Sequence, residues 1–345
     1  MSKKVLVTGG AGFIGHILIK YIIDNTDWEI VSLDRLDYSG NLNRFNHMLE
    51  DYDNSTKKRL HIIYHDLKSE INNLIESQIR DVDVIYHLAA SSHVDRSIVD
   101  PVMFVKDNVL ATVNILNYAR SMDNLERLIY FSTDEVFGPA KPGTSFKEWD
   151  RYNSTNPYSA SKAAGEELAI AFENTYNLPI AITHCMNVFG ERQHPEKYIP
   201  NTLWKLKNNK KITIHANKDK SKAGSRHYIY SEDVASSILF ITENFNSLKN
   251  SQITDEIGPN CLKVNIPGTK ELDNLEIAEL ISEYSDLKLD FELVDFHSSR
   301  PGHDLRYAID GSFIKDAGWK PKYTVEDSLN KLVKWYLDNP EWLEF

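Results

Sequence analysis

Four of the chain's 15 glycines fall within seven residues, Gly9-Gly10-Ala11-Gly12-Phe13-Ile14-Gly15, where chance would place about 0.3. An apolar run, Lys4-Val5-Leu6-Val7-Thr8, leads into them, and Ile14 to Ile23 follows with apolar residues at helical spacing. Strand, glycine turn and helix in that order form a dinucleotide-binding fingerprint. Gly9 permits the tight turn, Gly12 lets the backbone approach a pyrophosphate, and Gly15 lets the helix pack on the strand. The helix then presents free N–H groups and a positive dipole end to the anion. Asp34 ends the next strand, 19 residues beyond Gly15. A carboxylate there accepts hydrogen bonds from both ribose hydroxyls of NAD and repels the 2′-phosphate of NADP. Arg35 beside it has the opposite sign and weakens that preference. A structural turn and a surface aspartate are the plainer alternative.

The strand–helix alternation continues. Strands are expected at Glu29–Asp34, Leu60–Tyr64, Val82–Leu88, Leu128–Ser132 and Pro179–Cys185, with helices over roughly 67–80, 101–121 and 158–176. Wholly apolar strands alternating with helices specify a parallel sheet covered on both faces. The expected fold is therefore α/β, a Rossmann-type doubly wound sheet with a smaller C-terminal α/β substrate lobe. Residues 1–186 with 228–250 are assigned to the first domain, and 187–227 with 251–345 to the lobe. In the lobe a helix is expected near Leu275–Tyr284, a strand near Asp290–Val294, and a closing amphipathic helix capped by Thr324 and Asp327.

Composition narrows the partners. The charge is 39 − 50 = −11 with no long basic block, which argues against nucleic acid and acidic lipid. No apolar run approaches the roughly 18 residues of a membrane span. Lys3-Lys4 before apolar residues mimics a signal peptide, but the glycines interrupt it and the start reads as mature folded protein. Two cysteines, Cys185 and Cys261, exclude a disulfide scaffold and suit a reducing cytoplasm. The 12 histidines show no metal-binding spacing, so no metal is expected; His61 and His65 are assigned structural roles.

Tyr158 and Lys162 stand four residues apart on the expected long helix and so share a face. An ammonium beside a phenol lowers its pKa, and a cationic nicotinamide adds to the effect, giving a base for a sugar or alcohol hydroxyl. An ordinary surface pair is the alternative. The strand before it ends in Ser132-Thr133-Asp134-Glu135, at the edge where open parallel sheets carry their chemistry. A hydroxyl with two carboxylates suits an elimination, one acid removing a carbon-bound proton and the other protonating the departing oxygen. Helix capping by Thr133 or Asp134 is the bland reading.

Together with His87-Leu88-Ala89-Ala90-Ser91-Ser92-His93-Val94-Asp95-Arg96-Ser97, Pro195-Glu196-Lys197-Tyr198-Ile199-Pro200 and Arg300-Pro301-Gly302-His303-Asp304, these motifs resemble the nucleotide-sugar 4,6-dehydratases of the extended short-chain dehydrogenase/reductase superfamily, over nearly the whole chain. The Thr133-Asp134-Glu135 triplet separates it from the epimerases, which usually carry small polar residues there. The resemblance implies NAD as cofactor and dTDP-glucose or UDP-glucose as substrate. It implies that Tyr158, helped by Thr133 and Lys162, takes the 4-hydroxyl proton, that Glu135 takes the carbon-5 proton, and that Asp134 protonates the departing 6-hydroxyl. Hydride leaves carbon 4 and returns to carbon 6, giving a 4-keto-6-deoxy sugar. The cofactor set becomes Gly9, Gly12, Phe13, Ile14, Gly15, Asp34, Asp66, Leu67, Leu88, Ala89, Ala90, Ser132, Tyr158 and Lys162. The substrate set is Ser92, Thr133, Asn187, Lys197, Tyr198, Arg226, Asn265, Arg300 and His303. A homodimer through the helices near 101–121 and 158–176 is also implied. The chain departs from the family's habits at Ser91, where an acid is common, at His184, where an arginine is common, at Met186 and Val188, and at His227-Tyr228. A UDP-sugar 4-epimerase or decarboxylase, or a binding protein that senses NAD, are the competing readings.

Overall fold

The computed structural model describes residues 2–252, 260–295 and 305–344. Its strands are β1 (Lys4–Thr8), β2 (Glu29–Asp34), β3 (Leu60–Tyr64), β4 (Val84–His87), β5 (Arg127–Thr133), β6 (Ile180–Cys185), β7 (Asn187–Phe189), β8 (Ile212–Ala216), β9 (Ser225–Tyr230), β10 (Leu262–Ile266), β11 (Lys270–Asp273) and β12 (Phe291–Asp295). Seven form one sheet in the order β10-β6-β5-β4-β1-β2-β3, with every pairing parallel. Along β1, Val5 and Val7 enter one apolar layer and Leu6 the other, the two-residue period of a strand covered on both sides. The helices Phe13–Asn25 and Ser231–Glu243 close the first face through Ile17, Leu18, Val234 and Ile238. Ala111–Ala119 and Pro157–Tyr176 close the second through Ile115, Leu116 and Ala169.

The edge strand differs from the expectation of full coverage. In β3 the side chains of His61, Ile62 and Tyr64 are exposed, because β3 has a neighbour on one side alone. The helix expected over 67–80 shrinks to Asn73–Ile79, since the Asn72 carboxamide caps it by accepting the Leu74 and Ile75 N–H groups. The helix expected over 101–121 is interrupted by a π turn, Lys106–Leu110, between Pro101–Val105 and Ala111–Ala119. Among the described residues, no helix is long and apolar enough to cross a membrane.

The lobe has its own core, in which Leu203, Ile212, Ile214, Tyr228, Leu329 and Leu332 meet. Its sheets are β11-β9-β7 and the pair β12-β8. The closing helix Val325–Asp338 starts at Thr324, whose hydroxyl accepts the Asp327 N–H at 3.1 Å. The domain division shifts: Tyr228 and Tyr230, assigned to the first domain, belong to the lobe's core and sheet. β10, assigned to the lobe from sequence, completes the large sheet beside β6. All five of its residues are buried, with Leu262, Val264 and Ile266 in the first of the two apolar layers and Lys263 and Asn265 on the opposite face. Ile314 and Trp319 follow it into the first of those layers.

Candidate active site

β1 has β2 on one side and β4 on the other, so the chain order reverses there and a crevice opens beyond the strands' carboxyl ends. That crevice is lined by backbone on one side. Gly9 has φ +70°, and a Cβ on it would lie 2.8 Å from the Ala89 nitrogen. A Cβ on Gly15 would lie 2.2 Å from the Gly9 carbonyl oxygen. Gly12 caps the following helix without any side-chain hydrogen bond. The first intrahelical bond runs from the His16 N–H to the Gly12 carbonyl at 3.2 Å, so the Phe13, Ile14 and Gly15 N–H groups have no partner within the helix. This cradle fits the pyrophosphate of a dinucleotide in charge and shape.

Gly9, Gly12, Phe13, Ile14, Gly15, Asp34, Asp66, Leu67, Leu88, Ala89, Ala90, Ser132, Tyr158 and Lys162 all line this one crevice, with Ser92 and Lys197 at its far end. Asp34 accepts the Ala11 N–H at 3.0 Å and the Leu36 N–H at 2.8 Å, one on each oxygen, which orients the carboxylate and leaves lone pairs for a ribose. Burial pushes its pKa up, against the pull of those two donors. Two expectations change here. Arg35 is not an open cation: Asp37 and Asp107 hold it. His65 lies past the end of β3 and lines the crevice beside Asp66, so it belongs to the site and not to the strand.

The acids hang on the end of β5. Thr133 caps a short 3₁₀ turn, Asp134–Phe137, by accepting the Glu135 N–H at 3.3 Å, so capping and chemistry share these residues. Burial, then the neighbouring Glu135 charge, raises the Asp134 carboxyl to about 7, which keeps a proton on it near neutrality. Glu135 accepts from the Asn156 carboxamide at 3.3 Å and the Tyr307 hydroxyl at 3.5 Å. Neither partner was anticipated. Asn156 had a legible signal, an Asn-Pro pair before a helical run. Its Oδ1 accepts the Ser159 N–H at 2.9 Å and starts the helix, while its Nδ2 reaches Glu135. One residue thus ties the helix of Tyr158 and Lys162 to the acid pair.

Tyr158 and Lys162 are both buried. The Lys162 ammonium donates to the Phe131 carbonyl at 2.8 Å and lies 4.2 Å from the Tyr130 ring centre. Burial lowers its pKa to about 7, with the Glu166 charge working against that. The lowering of the phenol expected from Lys162 does not arise. Burial, then the Glu135 charge, pushes Tyr158 up, and only its Thr133 hydrogen bond lowers it. The cationic ring of NAD⁺ has the sign that would reverse this.

Behind the acids lies a polar knot. Ser132, His184 and Asn265 are register partners across β5, β6 and β10. The fully buried Glu166 accepts from Ser132, from Tyr152 and from His184 Nε2, the last at 3.0 Å, and Lys263 donates to Tyr152. Asn265 Oδ1 faces His184 Nδ1 at 2.9 Å, while its Nδ2 donates to the Phe146 and Asp310 carbonyls at 3.0 Å each. Both His184 nitrogens therefore face side-chain oxygens.

The substrate candidates divide. Arg226 donates to the Ser225 and Leu305 carbonyls at 2.7 and 2.8 Å and lies 4.6 Å over the Tyr307 ring; its charge also pulls the Asp134 pKa down. It is beside the acids. Asn187 sits half-buried in β7 opposite Tyr228. Asn265 is fully buried with its carboxamide committed to the knot, so it offers nothing to a ligand. Tyr198 packs against the lobe core and donates to the Asn274 carbonyl at 2.5 Å, away from the crevice. Arg300 and His303 lie outside the described residues.

Glycine cradle, doubly wound sheet and Tyr–Lys pair define an enzyme of the extended short-chain dehydrogenase/reductase superfamily. Within it, the chain belongs to the family described as GDP-mannose 4,6 dehydratase, which residues 6–332 match. It is 36% identical to a dTDP-glucose 4,6-dehydratase of Escherichia coli, over 98% of this chain and 95% of that one. Its fold superposes with a TM-score of 0.84 on the dTDP-glucose 4,6-dehydratase DesIV of Streptomyces venezuelae, solved with NAD bound, at 31% identity over 99% of both chains. A UDP-N-acetylglucosamine 4-epimerase from Methanobrevibacter ruminantium gives 0.80 at 26% identity, over 98% of this chain and 99% of that one. Fold alone therefore does not separate dehydration from epimerisation.

Proposed function

We propose that the protein is an NAD-dependent hydro-lyase that removes water from the hexose of dTDP-glucose or UDP-glucose and leaves the 4-keto-6-deoxy sugar nucleotide. The observation that carries this is the acid pair. Asp134 keeps its proton near neutral pH because it is buried beside Glu135, and an epimerase has no use for a proton donor at that point. Tyr158, bonded to Thr133, takes the proton of the 4-hydroxyl, and the Lys162 ammonium supports the phenolate. Glu135, oriented by Asn156 and Tyr307, takes the proton from carbon 5. Asp134 delivers its proton to the 6-hydroxyl as it departs. NAD, when bound, would supply hydride acceptance at carbon 4 and hydride return at carbon 6, and Glu135 gives a proton back to carbon 5 as that hydride arrives. Gly12 to Gly15 hold its pyrophosphate and Asp34 its ribose, while Arg226, Lys197 and Ser92 face the sugar nucleotide. The Escherichia coli and Streptomyces venezuelae relatives support this reading by their activity.

The same reading includes a homodimer in the cytosol. Val99, Val102 and Val105 are 86%, 60% and 53% exposed on the helices that pack against Pro157–Tyr176, an apolar stripe suited to a second copy. Both thiols are buried and free, as suits a reducing compartment. The deciding experiment incubates the enzyme separately with dTDP-glucose and UDP-glucose and follows mass. Loss of one water from either supports the proposal, and intact mass with both rejects it.

A further inference from the structure

NADP differs from NAD by a phosphate on the adenosine ribose, and a cation at that end of the cleft is what would receive it. Arg35, next to Asp34 and lining the cleft, is such a cation by sequence, yet all three of its guanidinium nitrogens are engaged. Nη1 and Nη2 form a two-pronged pair with Asp107 at 2.6 and 2.8 Å. Nε and Nη2 reach Asp37 at 2.8 and 2.5 Å. Asp66 lies 3.9 Å from Nη1.

Asp107 is built for this. It comes from the π turn Lys106–Leu110 and is only 4% exposed. The Ser91 hydroxyl donates to it at 2.6 Å and the Lys68 ammonium lies 3.6 Å away. Asp34, Asp37, Asp66 and Asp107 against Arg35 and Lys68 leave this wall with a formal charge of 2 − 4 = −2. A phosphate arriving there meets net repulsion and must break a pair of charge-assisted bonds before Arg35 can turn to it.

We propose that Asp107 is a specificity-determining residue: by clamping Arg35 it withholds the cation beside Asp34 that would otherwise accept a 2′-phosphate, and so favours NAD in the cleft. The inference rests on NAD as the cofactor, and the test separates the two. Displacement of bound NAD⁺ by NADP⁺ is titrated on the full-length protein in an Asp34→Ser background, which removes the direct repulsion of the phosphate. Adding Asp107→Asn is expected to shift the affinity ratio toward NADP by about tenfold, the scale of one hydrogen bond to a charged group. Adding Arg35→Ala as well is expected to abolish that gain. Should Asp107→Asn not fold, Asp37→Asn, on a half-buried loop residue, is expected to shift the ratio less in the same direction. An unchanged ratio in the variant that folds, or a gain that survives loss of Arg35, overturns the clamp while leaving NAD binding intact. Failure of NAD⁺ itself to bind overturns the cofactor reading and this inference together.

Discussion

The two ends of the active-site cleft are made of different materials. The pyrophosphate end is backbone: glycine Cα atoms, unbonded N–H groups at a helix start, and the space left by missing Cβ atoms. The sugar end is titratable side chains, several buried, each with its protonation set by its neighbours. A backbone cradle keeps its electrostatics at any pH and is damaged mainly by bulk. A side-chain site is sensitive to single protons and is bought with stability, because a buried carboxyl costs free energy wherever it must ionise.

The contrast can be broken most forcefully at the base. Tyr158→Phe is expected to lower turnover by roughly 10²–10⁴ with NAD still bound; near wild-type turnover in steady-state assays would remove Tyr158 from the mechanism. Next in size, Glu135→Gln should stop dehydration after the first oxidation, so that substrate leaves bound cofactor partly reduced in absorbance spectra. Normal product formation by that variant would end the elimination assignment.

The pH response sharpens the difference between the ends. Asp134 and Lys162 must both hold protons, and both lie at about 7 in the free protein. Thus kcat/KM should decline as pH rises through about 7, while NAD affinity, which Lys162 shares with the backbone cradle and Asp34, falls less over the same interval. An equal decline in NAD affinity would contradict the division. Stability carries the same sign. The folded-state pKa of Asp134 is above its unfolded value of 3.8, so its contribution is most favourable at low pH and is lost as pH climbs through about 7. Asp134→Asn should therefore gain stability over wild type by about 1–3 kcal/mol more at pH 8 than at pH 5, measured by denaturant unfolding; equal differences at both pH values would refute the buried-acid account. The smallest effect belongs to Tyr198→Phe. It removes a hydrogen bond in the lobe worth about 1 kcal/mol and should leave KM for the sugar nucleotide unchanged, whereas a large rise in KM would return Tyr198 to the cleft.

The backbone end was readable because its signal is local. A strand, four glycines and a helix lie within about twenty residues of chain, and Asp34 follows at a set spacing. The five catalytic residues were readable in position for the same reason, since Thr133 ends a strand with Asp134 and Glu135 directly after it, and Tyr158 to Lys162 make one helical turn. Their protonation was not, because burial depends on the whole fold. Asn265 looked like a ligand contact until β10 paired with β6 and set it beside His184. Tyr198 faces a core completed by the helices Asn274–Ser285 and Val325–Asp338, far along the chain. Arg35 lost its freedom to a carboxylate 72 positions later in the chain, and no spacing rule links them.

The Glu166 knot has a consequence for assembly. Its members come from β5, the Tyr152 loop, the Pro157–Tyr176 helix, β6 and β10, and β10 is the last of these to leave the ribosome. Until it docks, Glu166 lacks Lys263 nearby and His184 lacks Asn265, so the floor beneath the proton-transferring groups is unfinished. A nascent or truncated chain stopping before β10 is thus expected to be chemically silent even with its glycine turn formed, and reactivity toward sugars arrives only with the completed molecule.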